Sequence, residues 1–158
     1  MFFKKKKEAG KPEAAEKKEL LYKENIRVGC KPDTQENVIR AVGQMLVDTG
    51  YVDQPYVEAM LEREKSFSTY MGNELALPHG VEAAKKEIKA SGIAVMIFPE
   101  GTQWGKEKAK IVIGIAGVGE EHLQILGVIA DKMLVPNAAE ELVKGDVDTV
   151  YRVLSGKE

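Results

Sequence analysis

The chain has 158 residues, 44% of them hydrophobic and 30% charged, with a net charge of −2 and one cysteine, which suits a single globular domain with one sizeable core. The longest uncharged apolar stretches, residues 91–99 and 111–119, fall far short of the roughly 20 residues a membrane helix needs, and Lys4–Lys7 run into a polar segment rather than a secretory signal's apolar one. Cys30 cannot form an internal disulfide, as expected of a cytoplasmic protein.

Charge is unevenly placed. Residues 1–20 hold seven lysines against four glutamates, so the remaining 138 residues carry −5 of the total of −2. Residues 1–20 read as a disordered lysine-rich extension and residues 21–158 as the folded domain. Nucleic acid is not an expected partner, because the only dense basic cluster lies in that low-complexity tail, without aromatics beyond Phe2 and Phe3.

From Leu20 to Val28 the pattern is strand-like, with Ile26 and Val28 on one face and Arg27 on the other. Asp33, with Glu36 three residues on, predicts a capped helix whose apolar set is Ile39, Val42 and Leu46 and whose stop is Gly50. A second helix is predicted from Pro55, with Val57, Met60 and Leu61 inward and Glu62-Arg63-Glu64-Lys65 near its end. A polar connection, residues 66–73, leads to a short strand at Leu75-Ala76-Leu77. Residues 81–88 read as a helix, and residues 92–98 as a strand buried on both faces. Residues 99–105 read as a turn-rich loop with Trp104 as a partly buried anchor, and residues 111–116 as a second buried strand. From Glu121 the pattern is helical, with Leu123, Leu126 and Ile129 on one face, followed by shorter helices over 138–143 and 147–154. Strands interleaved with helices predict an α/β fold: a single layered domain with a central mixed β-sheet flanked by helices on both faces.

Pro78-His79-Gly80 holds one of only two histidines between a residue that locks φ and one that releases the chain, so the backbone aims the imidazole; the same three residues also suit an ordinary turn with a polar tip. His122 opens the helix that follows the second buried strand. Both histidines thus fall at strand ends or helix starts, where ligands of α/β sheets gather. Arginine occurs only at 27, 40, 63 and 152, and the fork of Arg63 can hold two phosphoryl oxygens, though a helix-surface role in a mixed-charge run is the plain alternative.

Several blocks occur together in order and spacing: residues 56–65, residues 70–80, Pro99-Glu100-Gly101, residues 111–115 and Glu120-Glu121-His122. This set, over residues 21–155, resembles the mannitol-type enzyme IIA of the bacterial phosphoenolpyruvate-dependent sugar phosphotransferase system, within the wider fructose/mannitol class. The Arg63 block and the loop with Trp104 favour mannitol over fructose, while the lysine-rich tail has no counterpart in the family's core. The resemblance implies a phosphotransferase component in which His79 accepts a phosphoryl group from the histidine phosphocarrier protein and passes it to a cysteine of the mannitol enzyme IIB of the IIB/IIC permease. By the same carry-over Arg63 and His122 line the pocket. The implied setting is cytoplasmic, with peripheral membrane association only through the permease, and with no metal or cofactor. Glu74 and Asn73, shortly before His79, are candidates to set an active-site tautomer or support the site from behind; a solvated loop is the equal alternative. A phosphorylation-controlled regulatory module of the same fold, binding a transporter or transcription regulator, is the competing function.

Overall fold

A computed structural model describes residues 18–157. The first strand is shorter than its pattern: β1 is Ile26–Arg27 alone, preceded by a 3₁₀ turn at Lys23–Asn25. The first helix, α1 (Gln35–Asp48), is capped by Thr34, whose hydroxyl accepts from Asn37 N at 3.1 Å. Asp33, the expected cap, lies one step outside and accepts from Thr34 N and Asn37 Nδ2. The displacement has a cause across the molecule. Thr102 Oγ1 accepts from Asp33 N at 2.9 Å and donates to Asp33 O at 2.6 Å, which holds that residue out of the helix. Helix α2 (Pro55–Ser66) starts with proline in its first turn and buries Tyr56, Val57, Ala59 and Met60, leaving Leu61 half-buried.

The remaining strands are β2 (Tyr70–Gly72), β3 (Leu75–Ala76), β4 (Gly92–Trp104) and β5 (Glu107–Ala116). They form one open sheet of order β1-β4-β5-β3-β2. Strands β4 and β5 are an antiparallel hairpin; β1 is parallel to β4, β3 is parallel to β5, and β2 returns antiparallel to β3. The segment 99–105, expected as a loop, belongs to this hairpin. After an irregularity between Ile97 and Thr102 the pairing resumes as Thr102↔Ala109 to Trp104↔Glu107, because Trp104 is buried to 1% exposure and draws the strand with it.

The helices α3 (Glu121–Met133), α4 (Ala138–Lys144) and α5 (Val147–Ser155) complete the chain. The predicted layered α/β architecture is the one observed. Alternation along β4 and β5 explains why their apolar runs are continuous: Ala94, Met96, Phe98 and Val112 pack with α1 and α2, whereas Ile93, Val95, Ile97, Ile111, Ile113 and Ile115 pack with α3, α4 and α5. Each face of the sheet therefore has its own core.

Three further expectations differ. Residues 82–87 form a 3₁₀ segment rather than an α-helix, since Ala84 is its only buried residue and six residues give too few α-type bonds to hold a helix. The inward stripe of α3 is Ile125 and Ile129, while Leu123 is 57% exposed. Residues 18–20, assigned to the extension, lie against the body: Lys18 Nζ donates to Thr49 O, Tyr51 Oη to Glu19 O and Ile93 N to Leu20 O. The rest of the predicted extension, residues 1–17, lies outside the described residues.

Candidate functional site

The carboxyl ends of the parallel strands β3 and β5 lie side by side, and the chain leaves both at the same end of the sheet. Leu75 and Ala76 register with Ile111 and Val112, and the pairing continues to His79↔Ile115, with Ile115 N donating to Pro78 O at 2.9 Å. His79 is therefore carried to the carboxyl end of the strands by the ladder, and Pro78 restricts the residue before it to extended backbone. The imidazole Nδ1 lies 2.8 Å from Leu77 O. A carbonyl oxygen only accepts, so Nδ1 carries the proton and Nε2 keeps its lone pair free.

Tyr56 holds the other side of this turn. Its buried hydroxyl accepts from Gly80 N at 2.9 Å and donates to Ile115 O at 2.8 Å. The packing is close enough that a Cβ at position 80 would meet Tyr56 Cε1 at 2.5 Å, so only glycine fits.

His122 stands in the first turn of α3. A Cβ at Gly117 would come within 2.3 Å of His122 N, so a side chain there would displace the start of the helix. The two imidazole centroids are 6.5 Å apart and tilted by 33°. His122 Nδ1 is buried without a hydrogen-bond partner, which leaves Nε2 as the nitrogen open to the cleft. Tyr56, His79, Gly80, Lys85, Gly117 and His122 are among the residues lining this shallow cleft.

Arg63 occupies the last turn of α2. Its Nη1 donates to Phe67 O at 3.1 Å and its guanidinium lies 5.5 Å from the Phe67 ring centroid. Its charge reaches His79. Burial above all holds the His79 pKa below the ordinary 6.5, and Arg63 and His122 push in the same direction, against the Leu77 carbonyl and the Glu64 carboxylate. His79 is thus neutral at pH 7, with a nucleophilic nitrogen facing outward.

The structure does not bring Glu74 and Asn73 to this site. They form the tight turn between β2 and β3, both left-handed at φ 65° and 52°, as a two-residue hairpin turn demands. Glu74 O accepts from Lys110 N and Ile111 N, and its carboxylate faces Lys110 at 3.8 Å. His79 lies five residue steps further on, about 16 Å of extended chain. A groove of about 410 Å³ lies toward that turn between Met71, Leu75, Leu77 and the segment from Met133 to Glu140, and touches none of His79, Arg63 or His122.

Tyr56 and Glu64 are the neighbours that sequence reasoning missed. Tyr56 begins the buried stripe of α2 and Glu64 sits in a charge run, so neither carries a local signal of its contacts. Among the described residues, no group of three His, Cys, Asp or Glu side chains could hold a metal ion.

An unprotonated histidine nitrogen on a half-buried ring in a shallow cleft, beside a second histidine and within reach of an arginine's charge, suits a protein that carries a group between other proteins. The family described as phosphoenolpyruvate-dependent sugar phosphotransferase system, EIIA 2, matches residues 19–157. The chain is 47% identical over 140 residues to the mannitol-specific phosphotransferase enzyme IIA component of Bacillus subtilis, covering 88% of this chain and 90% of that one. It is similar to the crystal structure of IIA mannitol from Escherichia coli, with a TM-score of 0.80, 39% identity, and 85% and 98% of the two chains covered. It is also similar to a chain in the complex of enzyme IIAMTL and phosphorylated enzyme IIBMTL from Escherichia coli, with a TM-score of 0.82, 38% identity, and 87% and 98% covered. The chain belongs to this EIIA 2 family and is a phosphotransferase component of the sugar phosphotransferase system.

Proposed function

We propose that His79 accepts a phosphoryl group from the phosphohistidine of the small phosphocarrier protein and delivers it to a cysteine of a mannitol-specific enzyme IIB. The observation that carries this reading is the hydrogen bond from His79 Nδ1 to Leu77 O, which leaves Nε2 as an unprotonated nucleophile at the open edge of the site.

In the first step the Nε2 lone pair forms the new N–P bond as the donor's N–P bond breaks and its electron pair returns to the donor imidazole. In the second, the acceptor thiolate attacks phosphorus and the electrons of the N–P bond return to Nε2. Both transition states are loose and spread charge over three equatorial oxygens, so the protein's task is positioning and charge neutralisation. Arg63 has five N–H donors, of which one is engaged on Phe67 O, and the remainder supply a fixed positive fork for those oxygens. His122 Nε2 supplies a hydrogen bond from the opposite side.

The mannitol assignment rests on the 47% identity to the Bacillus subtilis component, and the enzyme IIB partner on the Escherichia coli complex. Among the described residues no helix is long and apolar enough to cross a membrane. In the proposed reading the component works in the cytoplasm and meets the membrane through its permease.

The test is onward transfer. Chain phosphorylated by the phosphocarrier protein and its phosphoenolpyruvate-dependent kinase should pass its label to a mannitol enzyme IIB and not to the same enzyme IIB lacking its cysteine. A phosphorylated chain that retains its label under these conditions contradicts the carrier reading and favours a regulatory role.

A further inference from the structure

We propose that Glu64 is a positioning residue for His79, acting through Thr69 to fix the Leu77 carbonyl that selects the imidazole tautomer. The inference rests on the carrier reading for its functional meaning but not for its geometry.

A continuous line of hydrogen bonds joins the two residues. Trp104 Nε1 donates to Glu64 Oε2 at 2.9 Å. Thr69 N donates to the same oxygen at 2.8 Å and Thr69 Oγ1 donates to Oε1 at 2.7 Å. Thr69 O accepts from Leu77 N at 3.0 Å, and Leu77 O accepts from His79 Nδ1 at 2.8 Å. Trp104 and Thr69 are 1% and 4% exposed, so these bonds form away from competing water and are charge-assisted at the carboxylate.

The step from Leu77 N to Leu77 O is stiff because Leu77 precedes Pro78 and is confined to extended backbone. Fixing its N–H therefore fixes the direction of its carbonyl. The carbonyl in turn decides which ring nitrogen keeps the proton and which attacks phosphorus. On the far side of the turn Tyr56 holds Gly80, so a single helix, α2, grips the Leu77–Gly80 segment at both ends. Arg63, the neighbour of Glu64, lies on the same turn of that helix, so the phosphoryl-facing cation and the brace are built on one element.

Glutamine can mimic this brace. Its carbonyl oxygen can accept both N–H donors now on Oε2, while its amide donates to the Thr69 hydroxyl, which rotates to accept. Alanine can make none of the three bonds. The full chain and its Glu64→Gln, Glu64→Ala and Thr69→Val variants are compared by imidazole ¹⁵N NMR and by the rate of phosphorylation from the phosphocarrier protein. The single tryptophan, Trp104, gives a fluorescence check that its partner has been lost.

For Glu64→Ala we expect a mixture of His79 tautomers in place of the Nδ1–H form and transfer slowed about tenfold to a hundredfold, the scale of a small misplacement. Glu64→Gln should restore most of both, while lowering the His79 pKa further because the carboxylate that raised it is gone. Glu64→Ala with an unchanged tautomer and rate overturns the inference, as does Glu64→Gln behaving like alanine. If Glu64→Ala does not fold, Thr69→Val, which removes one of the three bonds at constant shape, should move the tautomer in the same direction, and an unmoved spectrum overturns the inference. Failure of the wild-type chain to be phosphorylated would instead strike the carrier reading, and the imidazole spectra would still decide the role of Glu64.

Discussion

Replacing Tyr56 with phenylalanine removes one oxygen atom from the middle of the site. That hydroxyl joins Gly80 N at 2.9 Å to Ile115 O at 2.8 Å, at a residue only 3% exposed. Burial pushes its pKa up to about 12, so at working pH it is a neutral group that both donates and accepts. The phenylalanine ring fills the same space, so no large cavity opens; the cost lies in two backbone groups that lose their partner. A buried unsatisfied polar group costs about 1–3 kcal/mol, and the register His79↔Ile115 lets the two abandoned groups partly pair with each other, which brings the total to about 2 kcal/mol. For a domain of this size that corresponds to a fall in Tm of about 6 °C. Calorimetric melting at pH 7 measures it, and the phosphorylation rate measured alongside should also fall, because Gly80 is the peptide that follows the nucleophile. A Tm within about 1 °C of wild type, with an unaltered rate, would refute the idea that Tyr56 holds the His79 turn.

Three other outcomes follow from the same geometry. Arg63→Lys keeps a positive charge but loses the fork, so the chain should fold normally and transfer to enzyme IIB should slow by at least about tenfold in a rapid-quench assay; unchanged kinetics would remove the arginine from the mechanism. Gly117→Ala drives a methyl group against His122 N, at 2.3 Å from the ideal Cβ, and should slow transfer while leaving the signals of α1 and the sheet interior in place by NMR; a wild-type rate would show that His122 need not be held where it is. Since the native His79 pKa lies below the ordinary 6.5, the unfolded chain binds more protons just below that value. Its contribution therefore falls as pH drops from about 6.5 toward the native pKa, and the difference in denaturant midpoint between wild type and His79→Ala should show this loss between about pH 7 and 5; a gain on acidification would contradict a buried neutral ring.

The elements with strong periodicity are legible in the sequence: α1, α2, the two buried runs of β4 and β5, and the three C-terminal helices. Their patterns are local, and the alternation that fills two separate cores is written directly into residues 93–98 and 111–116. What could not be read depends on partners distant in the chain. Thr34 rather than Asp33 caps α1 because Thr102 takes both backbone groups of Asp33, sixty-nine residues away. The loop expected around Trp104 is a strand because its indole is buried beside Glu64, forty residues earlier. Within the site, His79 and His122 were legible as chain-direction changes at strand ends, and Arg63 as a scarce residue type. Glu74 and Asn73 drew attention by closeness in sequence, yet an extended strand carries them away from His79 as fast as a chain can. Glu64 was hidden for the opposite reason: it is fifteen residues from His79 in sequence and is joined to it by hydrogen bonds alone.

The most direct measurement is ¹⁵N NMR of the chain after phosphorylation by the phosphocarrier protein. One acid-labile phosphoryl group on Nε2 of His79, absent from His79→Ala, is the expected result. A phosphoryl group on Nδ1, on His122, or persisting in His79→Ala would contradict the site described above.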